Sequence, residues 1–218
     1  MRESPRIRRL RTDLKALEKL REESSILDFE VARTTHDAPP ESYAITFRGK
    51  GLWRADSSTD ILIREQHVVH IHLGAAYPRM MPDLAWKTPI FHPNISGSGV
   101  VCLGGYGTHW VPSLNLDELC VMLWDMIRYK NFDVESPYNR EAALWAKTQR
   151  VVHLPVDDRP LRDRIAGMAP ARQDAARPPI TAVPVKEPAM PDVLFIDGEE
   201  VVEAEVVGSS NEDILFID

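Results

Sequence analysis

The chain has 218 residues, which is enough for one domain of ordinary size with extensions. Residues 191–218 carry nine of the 33 acidic residues and no Lys or Arg, whereas the rest carries 26 basic against 24 acidic residues. An acidic tail on a nearly neutral body argues against a nucleic-acid-binding protein, whose phosphate-binding face is basic. We expect no membrane association, since no apolar run approaches the ~20 residues that a bilayer requires. We expect no secretory signal either, since residues 1–22 are charged throughout.

The first predicted element is a helix that runs from Pro5 to about residue 22. Ser4 is a suitable N-cap, and proline is favoured at the first helical position. An apolar stripe at helical spacing follows, formed by Ile7, Leu10, Leu14 and Leu17. The other face is basic and includes Arg8, Arg9 and Arg11, which composition alone indicates to be solvated surface.

Alternating apolar and polar residues predict three half-buried strands. Their apolar positions are Leu27, Phe29 and Val31, then Tyr43, Ile45 and Phe47, then Val69, Ile71 and Leu73. Residues 84–87 predict a fourth strand. His70 and His72 share one face of the third strand, which we interpret as an exposed face because zinc takes three or four protein ligands. A helix, an antiparallel meander of four strands and then further helices predict an α+β fold.

Two more helices are predicted after the sheet. The first begins near Asn115, where Glu118 completes the pattern of a capping box, and its apolar stripe includes Cys120. We therefore interpret Cys120 as a core residue. The second helix runs from Asn139 to about Arg150. Residues 159–167 could form at most two turns, so the C-terminal helical part is predicted to be abbreviated.

The predicted organisation has four parts: a folded domain at 1–150, a short helical extension at 151–168, a Pro-rich linker at 169–191 and an acidic tail at 192–218. The linker region contains six prolines and cannot bury a core. The chain has two cysteines, too few for a disulfide framework, and we expect a cytoplasmic protein.

The longest loop-like stretch, residues 91–112, surrounds Cys102 with five glycines and two prolines. Long ordered loops in compact domains are more often functional than connective. The sequence His92-Pro93-Asn94 ends eight residues before Cys102, and Trp110 and Pro112 follow it by eight and ten residues. This pattern resembles the active-site segment of ubiquitin-conjugating enzymes. The resemblance covers about residues 5–150 and extends to their entry loop, through Tyr77-Pro78-x-x-x-Pro82.

The resemblance implies acyl transfer in an α+β UBC-like fold, with Cys102 as the nucleophile that carries a ubiquitin-like protein as a thioester. It assigns Asn94 to stabilising the oxyanion, directly or by ordering the nearby loop. It assigns His92 to bracing the turn, and Trp110 and Pro112 to shaping the groove for the incoming C-terminal tail.

In the family an acidic residue in the loop before the next helix orients or deprotonates the attacking lysine. Ser136 of Ser136-Pro137 occupies that position here, with Glu135 beside it.

The implied partners are a ubiquitin-like protein, an activating enzyme and a target protein, and the activating enzyme docks on the basic first helix. No cofactor or metal is implied, because the activating enzyme uses the ATP. Arg79 replaces the exposed aromatic residue that many relatives present to RING-type ligases, which disfavours a ligase of that type. The sequence resembles bacterial members encoded with their own activating enzyme, for which the implied biology is antiviral defence.

Three alternatives remain open at this stage. The first is a non-catalytic binding module of the same fold, although such variants typically lose the cysteine. The second is a cysteine hydrolase that uses His92 or His109 as its base. The third is a zinc site formed by His92, Cys102, His109 and Cys120, which conflicts with the core position of Cys120.

The tail contains a duplicated motif, Asp-Val-Leu-Phe-Ile-Asp at 192–197 and Asp-Ile-Leu-Phe-Ile-Asp at 213–218. The apolar positions of the two copies are Leu194, Phe195 and Ile196, and Leu215, Phe216 and Ile217. Such segments can add a strand to an exposed sheet edge. The edge could belong to the ubiquitin-like protein or to the chain's own domain. Duplication favours a partner, because two tethered copies increase avidity.

Overall fold

A computed structural model describes residues 3–32, 38–55, 58–104 and 110–165. The order of elements is one helix, four strands and two helices: α1 (Pro5–Glu23), β1 (Leu27–Val31), β2 (Ser42–Arg54), β3 (Ile61–His72), β4 (Asp83–Trp86), α2 (Leu116–Ile127) and α3 (Arg140–Thr148). The linker and the acidic tail, with both copies of its motif, lie outside the described residues.

Helix α1 begins where the sequence predicts. The Ser4 side chain accepts a hydrogen bond from the Ile7 amide at 3.2 Å, and Pro5 occupies the first turn, where its missing N–H costs nothing. Leu10, Leu17 and Leu20 are fully buried against the sheet and α2. The apolar stripe therefore determines which face of α1 is buried.

The four strands form one antiparallel sheet in sequential order, which confirms the α+β prediction. Phe29 of β1 pairs with Ile45 of β2, which pairs with Val69 of β3, which in turn pairs with Trp86 of β4. These four side chains are buried. Because side chains alternate between the two faces of a sheet, the row marks the face that is turned to the core.

Helix α2 packs across the core. Its Trp124 ring stacks on Phe47 with centroids 6.2 Å apart, and Cys120 is fully buried as predicted. The helix begins with the predicted capping box, in which Glu118 accepts from the Asn115 amide at 2.9 Å. Helix α3 begins after Asn139, whose side chain accepts from the Ala142 amide at 3.0 Å.

The predicted helical extension at 151–168 is wrong over the residues that the structure describes. Residues 151–165 form bends and a turn rather than a helix. Prolines at 155 and 160 remove amide donors and disfavour a helical residue before each of them. The segment nevertheless packs on the domain: Leu161 is buried, Trp124 Nε1 donates to the Arg159 carbonyl at 2.8 Å, and Asp163 accepts from the Ser25 amide at 2.7 Å.

Candidate active site

The turn at residues 92–94 is buried, and its histidine is held in place by neighbouring groups. His92 Nδ1 accepts a hydrogen bond from the Asn94 amide at 3.1 Å, and its ring packs edge-on against Tyr129 at 4.9 Å. Tyr129 in turn donates from its hydroxyl to the Phe91 carbonyl at 2.5 Å. Complete burial lowers the pKa of His92 to about 3. A neutral, enclosed imidazole suits the bracing function better than that of a general base.

Asn94 connects this turn to the loop before α3. Its Nδ2 donates to the Asp133 carbonyl at 2.8 Å, and its Oδ1 accepts from the Asp133 amide at 2.7 Å. The nitrogen and the oxygen of the Asn94 carboxamide are thus both paired with the backbone of a single residue, which lies 39 residues away along the chain. Asn94 is only 4% exposed, so the pair is shielded from competing water.

Asp133 belongs to this site although no motif in the sequence marks it. Its carboxylate accepts from the Glu135 amide at 2.7 Å and, more weakly, from the Ser136 amide at 3.4 Å. Aspartate commonly accepts from an amide two residues ahead in an Asx turn, so Asp133 ahead of Ser136-Pro137 was the available signal. The backbone and side chain of Asp133 together fix the loop that carries Ser136.

The same loop is attached to Pro93 at its other end. The Pro93 carbonyl accepts from the Tyr138 amide at 2.8 Å and from the Asn139 amide at 2.9 Å. Ser136 is exposed within this loop, and the exposed Glu135 forms an ion pair with Lys147 at 2.9 Å. Ser136 and Glu135 therefore project from a loop that hydrogen bonds join to the turn before Cys102.

Cys102 lies in an ordered segment, residues 91–104, which we call the upstream arm. Its amide donates to the Asn94 carbonyl at 2.9 Å, next to an antiparallel bridge between Ile95 and Val101. Val101 and Leu103 on either side are buried, whereas Cys102 is partly exposed. Cys120, by contrast, is fully enclosed, and burial raises the pKa of its thiol.

The upstream arm contains one position that only glycine can occupy. Gly99 has φ +85°, and a Cβ built there would lie 2.2 Å from the Trp86 carbonyl oxygen. In return, the Trp86 amide donates to the Gly99 carbonyl at 2.8 Å, which ties the arm to β4. The close approach of backbone to backbone holds the chain that leads to Cys102.

Residues 110–116, the downstream arm, follow a gap in the described structure that contains His109. Trp110 is partly buried, and its Nε1 donates to the Pro78 carbonyl at 2.7 Å, while its ring lies 6.5 Å from that of Tyr77. Pro112 is exposed, and its carbonyl accepts from Arg9 at 2.5 Å. The predicted entry loop and the predicted Trp-x-Pro thus meet in space.

The structure corrects the interpretation of Arg9 as part of a solvated or docking surface. Arg8 and Arg11 are exposed, but the Arg9 side chain is only 13% exposed and pairs with the buried Asp13 at 2.9 Å. The signal was present: Asp13 falls within the apolar stripe between Leu10 and Leu17. A carboxylate on a buried stripe requires a partner, and an arginine four residues earlier is within reach.

Other predicted groups lie apart from the site. His70 and His72 are exposed on the outer face of the sheet. In the described part of the chain, no three His, Cys, Asp or Glu side chains form a group that could hold a metal ion. Arg79 is exposed beside Met80, which is 65% exposed. None of the described helices is both long enough and apolar enough to cross a membrane.

Comparison with known proteins gives one family. Residues 64–154 match the family model described as ubiquitin-conjugating enzyme. The chain is 37% identical over 84 residues to ubiquitin-conjugating enzyme E2 16 of Schizosaccharomyces pombe, covering 38% of this chain and 51% of the relative. It is 37% identical over 76 residues to a probable NEDD8-conjugating enzyme Ubc12-like of Arabidopsis thaliana, covering 35% of this chain and 40% of the relative. The matches thus span about half the length of these relatives or less.

Among solved structures, S. cerevisiae Ubc12 aligns with a TM-score of 0.53 at 20% identity, over 69% of this chain and 75% of that one. At this identity the likeness concerns the fold alone. It agrees with the four-stranded antiparallel sheet and flanking helices described above.

Proposed function

Because the chain belongs to the ubiquitin-conjugating enzyme family, we propose that it accepts a ubiquitin-like protein as a thioester on Cys102 and transfers it to a target amine. The relatives are named for ubiquitin in one case and for NEDD8 in the other. We therefore define the substrate by class, as a ubiquitin-like protein delivered by an activating enzyme.

The proposed reaction has two acyl transfers. In the first, the Cys102 thiolate attacks the carbonyl carbon of the thioester on the activating enzyme; a new C–S bond forms, the old one breaks, and the activating enzyme leaves as a thiolate. In the second, the amine of a target lysine attacks the same carbon. The C–N bond forms, the C–S bond to Cys102 breaks with the electron pair going to sulfur, and the leaving thiolate or solvent takes up the proton that the amine loses. Cysteine suits both steps because it is a good nucleophile and a good leaving group.

The observation that carries this proposal is the contrast between the two cysteines. Cys102 is partly exposed, and its backbone is hydrogen-bonded to the buried turn at 92–94. Cys120 is 0% exposed, and its raised pKa disfavours the thiolate. A bulky protein thioester can reach only a thiol that is open to solvent, so Cys102 is the candidate acceptor.

We assign Asn94 to ordering the loop that faces the incoming amine. Its carboxamide is occupied at both ends by Asp133, which supports this function over that of a free oxyanion donor. The loop presents Ser136 and Glu135, and Glu135 is the nearer equivalent of the usual acid because serine carries no charge. A regulated Ser136 would acquire negative charge on phosphorylation.

We further propose that the reaction serves antiviral defence in a bacterial host. Loss of protection against phage with Cys102→Ala, in cells that retain protection with Cys120→Ala, would support this setting. Equal protection with both variants would exclude it.

We propose that the duplicated tail motif binds the ubiquitin-like protein by strand addition. Each copy has four consecutive apolar residues, rich in β-branched and aromatic types, between two aspartates, which suits a segment that adds to a sheet edge. A labelled peptide of residues 191–218 should bind the cognate protein, and a peptide with Phe195→Ala and Phe216→Ala should bind more weakly. Equal binding by the two peptides would contradict the motif.

The central proposal is tested by mixing the chain with its activating enzyme, ATP and the ubiquitin-like protein. Gels run without reductant should show an adduct that disappears with reductant. The adduct should be absent from Cys102→Ala and present in Cys120→Ala. An adduct on Cys102→Ala would overturn the assignment, and no adduct on the wild-type chain would favour the non-catalytic binding module.

A further inference from the structure

One carboxylate on the inner face of α1 is completely buried. Asp13 Oδ2 accepts from Arg9 Nε at 2.9 Å and from the Tyr77 hydroxyl at 2.7 Å, and its Oδ1 accepts from the Leu116 amide at 3.1 Å. Burial, with a smaller contribution from Asp13, raises the pKa of Tyr77, so its hydroxyl keeps the proton that it donates. A buried charge persists when it is both paired and hydrogen-bonded, and these three donors satisfy it.

The guanidinium of Arg9 extends this cluster to the downstream arm. It donates to the Tyr77 hydroxyl at 2.9 Å, to the Pro112 carbonyl at 2.5 Å and also to the Leu114 carbonyl. Together with the contact from Leu116 to Asp13, three side-chain hydrogen bonds join the downstream arm to α1. A fourth, from Trp110 Nε1 to the Pro78 carbonyl, joins it to the residue beside Tyr77.

We propose that Arg9, Asp13 and Tyr77, which we call the α1 brace, are positioning residues for the thioester chemistry assigned to Cys102. The proposal rests on the function proposed above. The brace fixes the downstream arm, which begins eight residues after Cys102, against the rigid inner face of α1. Helix α1 therefore has two functions: its exposed arginines are available for docking, and its inner arginine sets the geometry of the reaction site.

The chemistry of the brace requires these side-chain types. A guanidinium is planar and has five donors, so Arg9 can bond the carboxylate, the phenol and two carbonyls together. A lysine would keep the charge but could satisfy only some of these acceptors. Phenylalanine at position 77 would keep the ring and remove the hydroxyl that is shared between Arg9 and Asp13.

The test compares two brace variants with two matched controls. Arg9→Lys is compared with Arg48→Lys, because Arg48 also pairs with an aspartate, Asp28 at 3.1 Å, but is exposed and has no contact with the downstream arm among the described hydrogen bonds. Tyr77→Phe is compared with Tyr43→Phe, because Tyr43 is also buried and its hydroxyl donates to a backbone carbonyl, that of Pro40, at 3.2 Å. Each variant is measured for thermal unfolding, for charging by the activating enzyme and for single-turnover discharge onto free lysine.

We expect both brace variants to discharge roughly 10- to 100-fold more slowly than wild type, as small misplacements of reacting groups do. Their KM for charging should be unchanged while kcat falls, because the exposed face of α1 is intact. The controls should discharge within twofold of wild type, and the two Tyr→Phe variants should lose similar thermal stability. Discharge at the control rate in both brace variants would overturn the proposal. If Arg9→Lys does not fold, Tyr77→Phe decides alone.

Failure of the proposed function is distinguishable from failure of the brace. A wild-type chain that forms no thioester would refute the function, and the brace would then be judged by two measurements that need no partner. These are hydrogen exchange at the Leu116 amide and the rate at which iodoacetamide alkylates Cys102. Faster exchange and altered alkylation in Arg9→Lys, but not in Arg48→Lys, would support the brace. Equal values in both variants would overturn it.

Discussion

The upstream and downstream arms flank the same loop but are held in different ways. The upstream arm is held by neutral hydrogen bonds: the Asn94 carbonyl accepts from the Cys102 amide, the Gly99 carbonyl accepts from the Trp86 amide of β4, and the His92 ring accepts from the Asn94 amide. The downstream arm is fixed by side chains from elsewhere, chiefly the ion pair of Arg9 and Asp13. Neutral hydrogen bonds hold the first arm, whereas a charged pair of side chains on α1 holds the second.

The two arms should therefore respond differently to added salt and to the loss of a hydrogen-bond partner. Neutral, enclosed hydrogen bonds in the upstream arm should be insensitive to salt but sensitive to any change that leaves a buried group unpaired. The ion pair of the downstream arm is partly shielded, so salt should screen it less than it screens the exposed arginines of α1. Three experiments exploit these differences.

The largest effect is expected from Asn94→Ala in the upstream arm. The change leaves the Asp133 amide and carbonyl without their partner and releases the loop that carries Ser136. We expect the Cys102 thioester to form at nearly the normal rate, while single-turnover discharge onto free lysine falls by about 10²-fold, as a misplacement of about 1 Å near the reacting groups does.

Two controls sharpen this prediction. Asp133→Ala keeps the backbone contacts to Asn94 but removes the carboxylate that accepts from Glu135, so its discharge should be intermediate. Ser136→Ala leaves the loop attached and reports the contribution of the exposed hydroxyl alone. Unchanged discharge in Asn94→Ala would remove Asn94 from the mechanism.

The upstream and downstream arms also differ in how well the sequence predicts their structure. The upstream arm is predictable from a local motif, since the spacing of His92, Asn94 and Cys102 indicates a functional segment. Apolar periodicity likewise predicts the helices and strands. The sequence pattern groups Arg9 with the exposed basic residues of α1, because composition does not show which of them faces a buried carboxylate. Asp133 was missed because its backbone, not its side-chain type, makes the contact with Asn94. The irregular segment 151–165 has no periodicity to detect.

The next largest effect is a loss of folding stability at low pH. His92 has its pKa lowered to about 3, and His67, a buried residue of β3, has its pKa lowered to about 4, in both cases mainly by burial. In the unfolded chain both titrate near 6.5, so below that pH the unfolded state binds protons that the native state does not. The free energy of unfolding should therefore be independent of these two groups above pH 7, and it should decrease as the pH is lowered from 6.5 to 4.

The slope gives the measurement. Each histidine should remove up to about 1.4 kcal/mol of unfolding free energy per pH unit in this window, measured by urea unfolding at pH 7, 6 and 5. His70→Asn, at an exposed position of the same strand as His67, is the control for the loss of a histidine side chain. A flat profile between pH 6.5 and 4.5 would mean that the two rings are protonated in the native state.

The smallest effect is expected on the outer face of α1, and it separates that face from the brace. We predict that Arg8→Glu and Arg11→Glu together raise the KM for charging by roughly three- to tenfold, as loss of one or two exposed charge contacts allows. Arg8 and Arg11 are exposed, and Arg11 forms an ion pair with Glu3 at 2.8 Å on the same surface, so the fold should be unaffected.

Discharge onto free lysine, which needs no activating enzyme, should be unchanged in the double variant. Added salt should raise the KM of the wild-type chain while having little effect on that of the double variant. Lys19→Glu, at the far end of the helix, is the control for charge alone. An unchanged KM would mean that the basic face is solvated surface, and slowed discharge would mean that the outer face of α1, like Arg9, contributes to the reaction geometry.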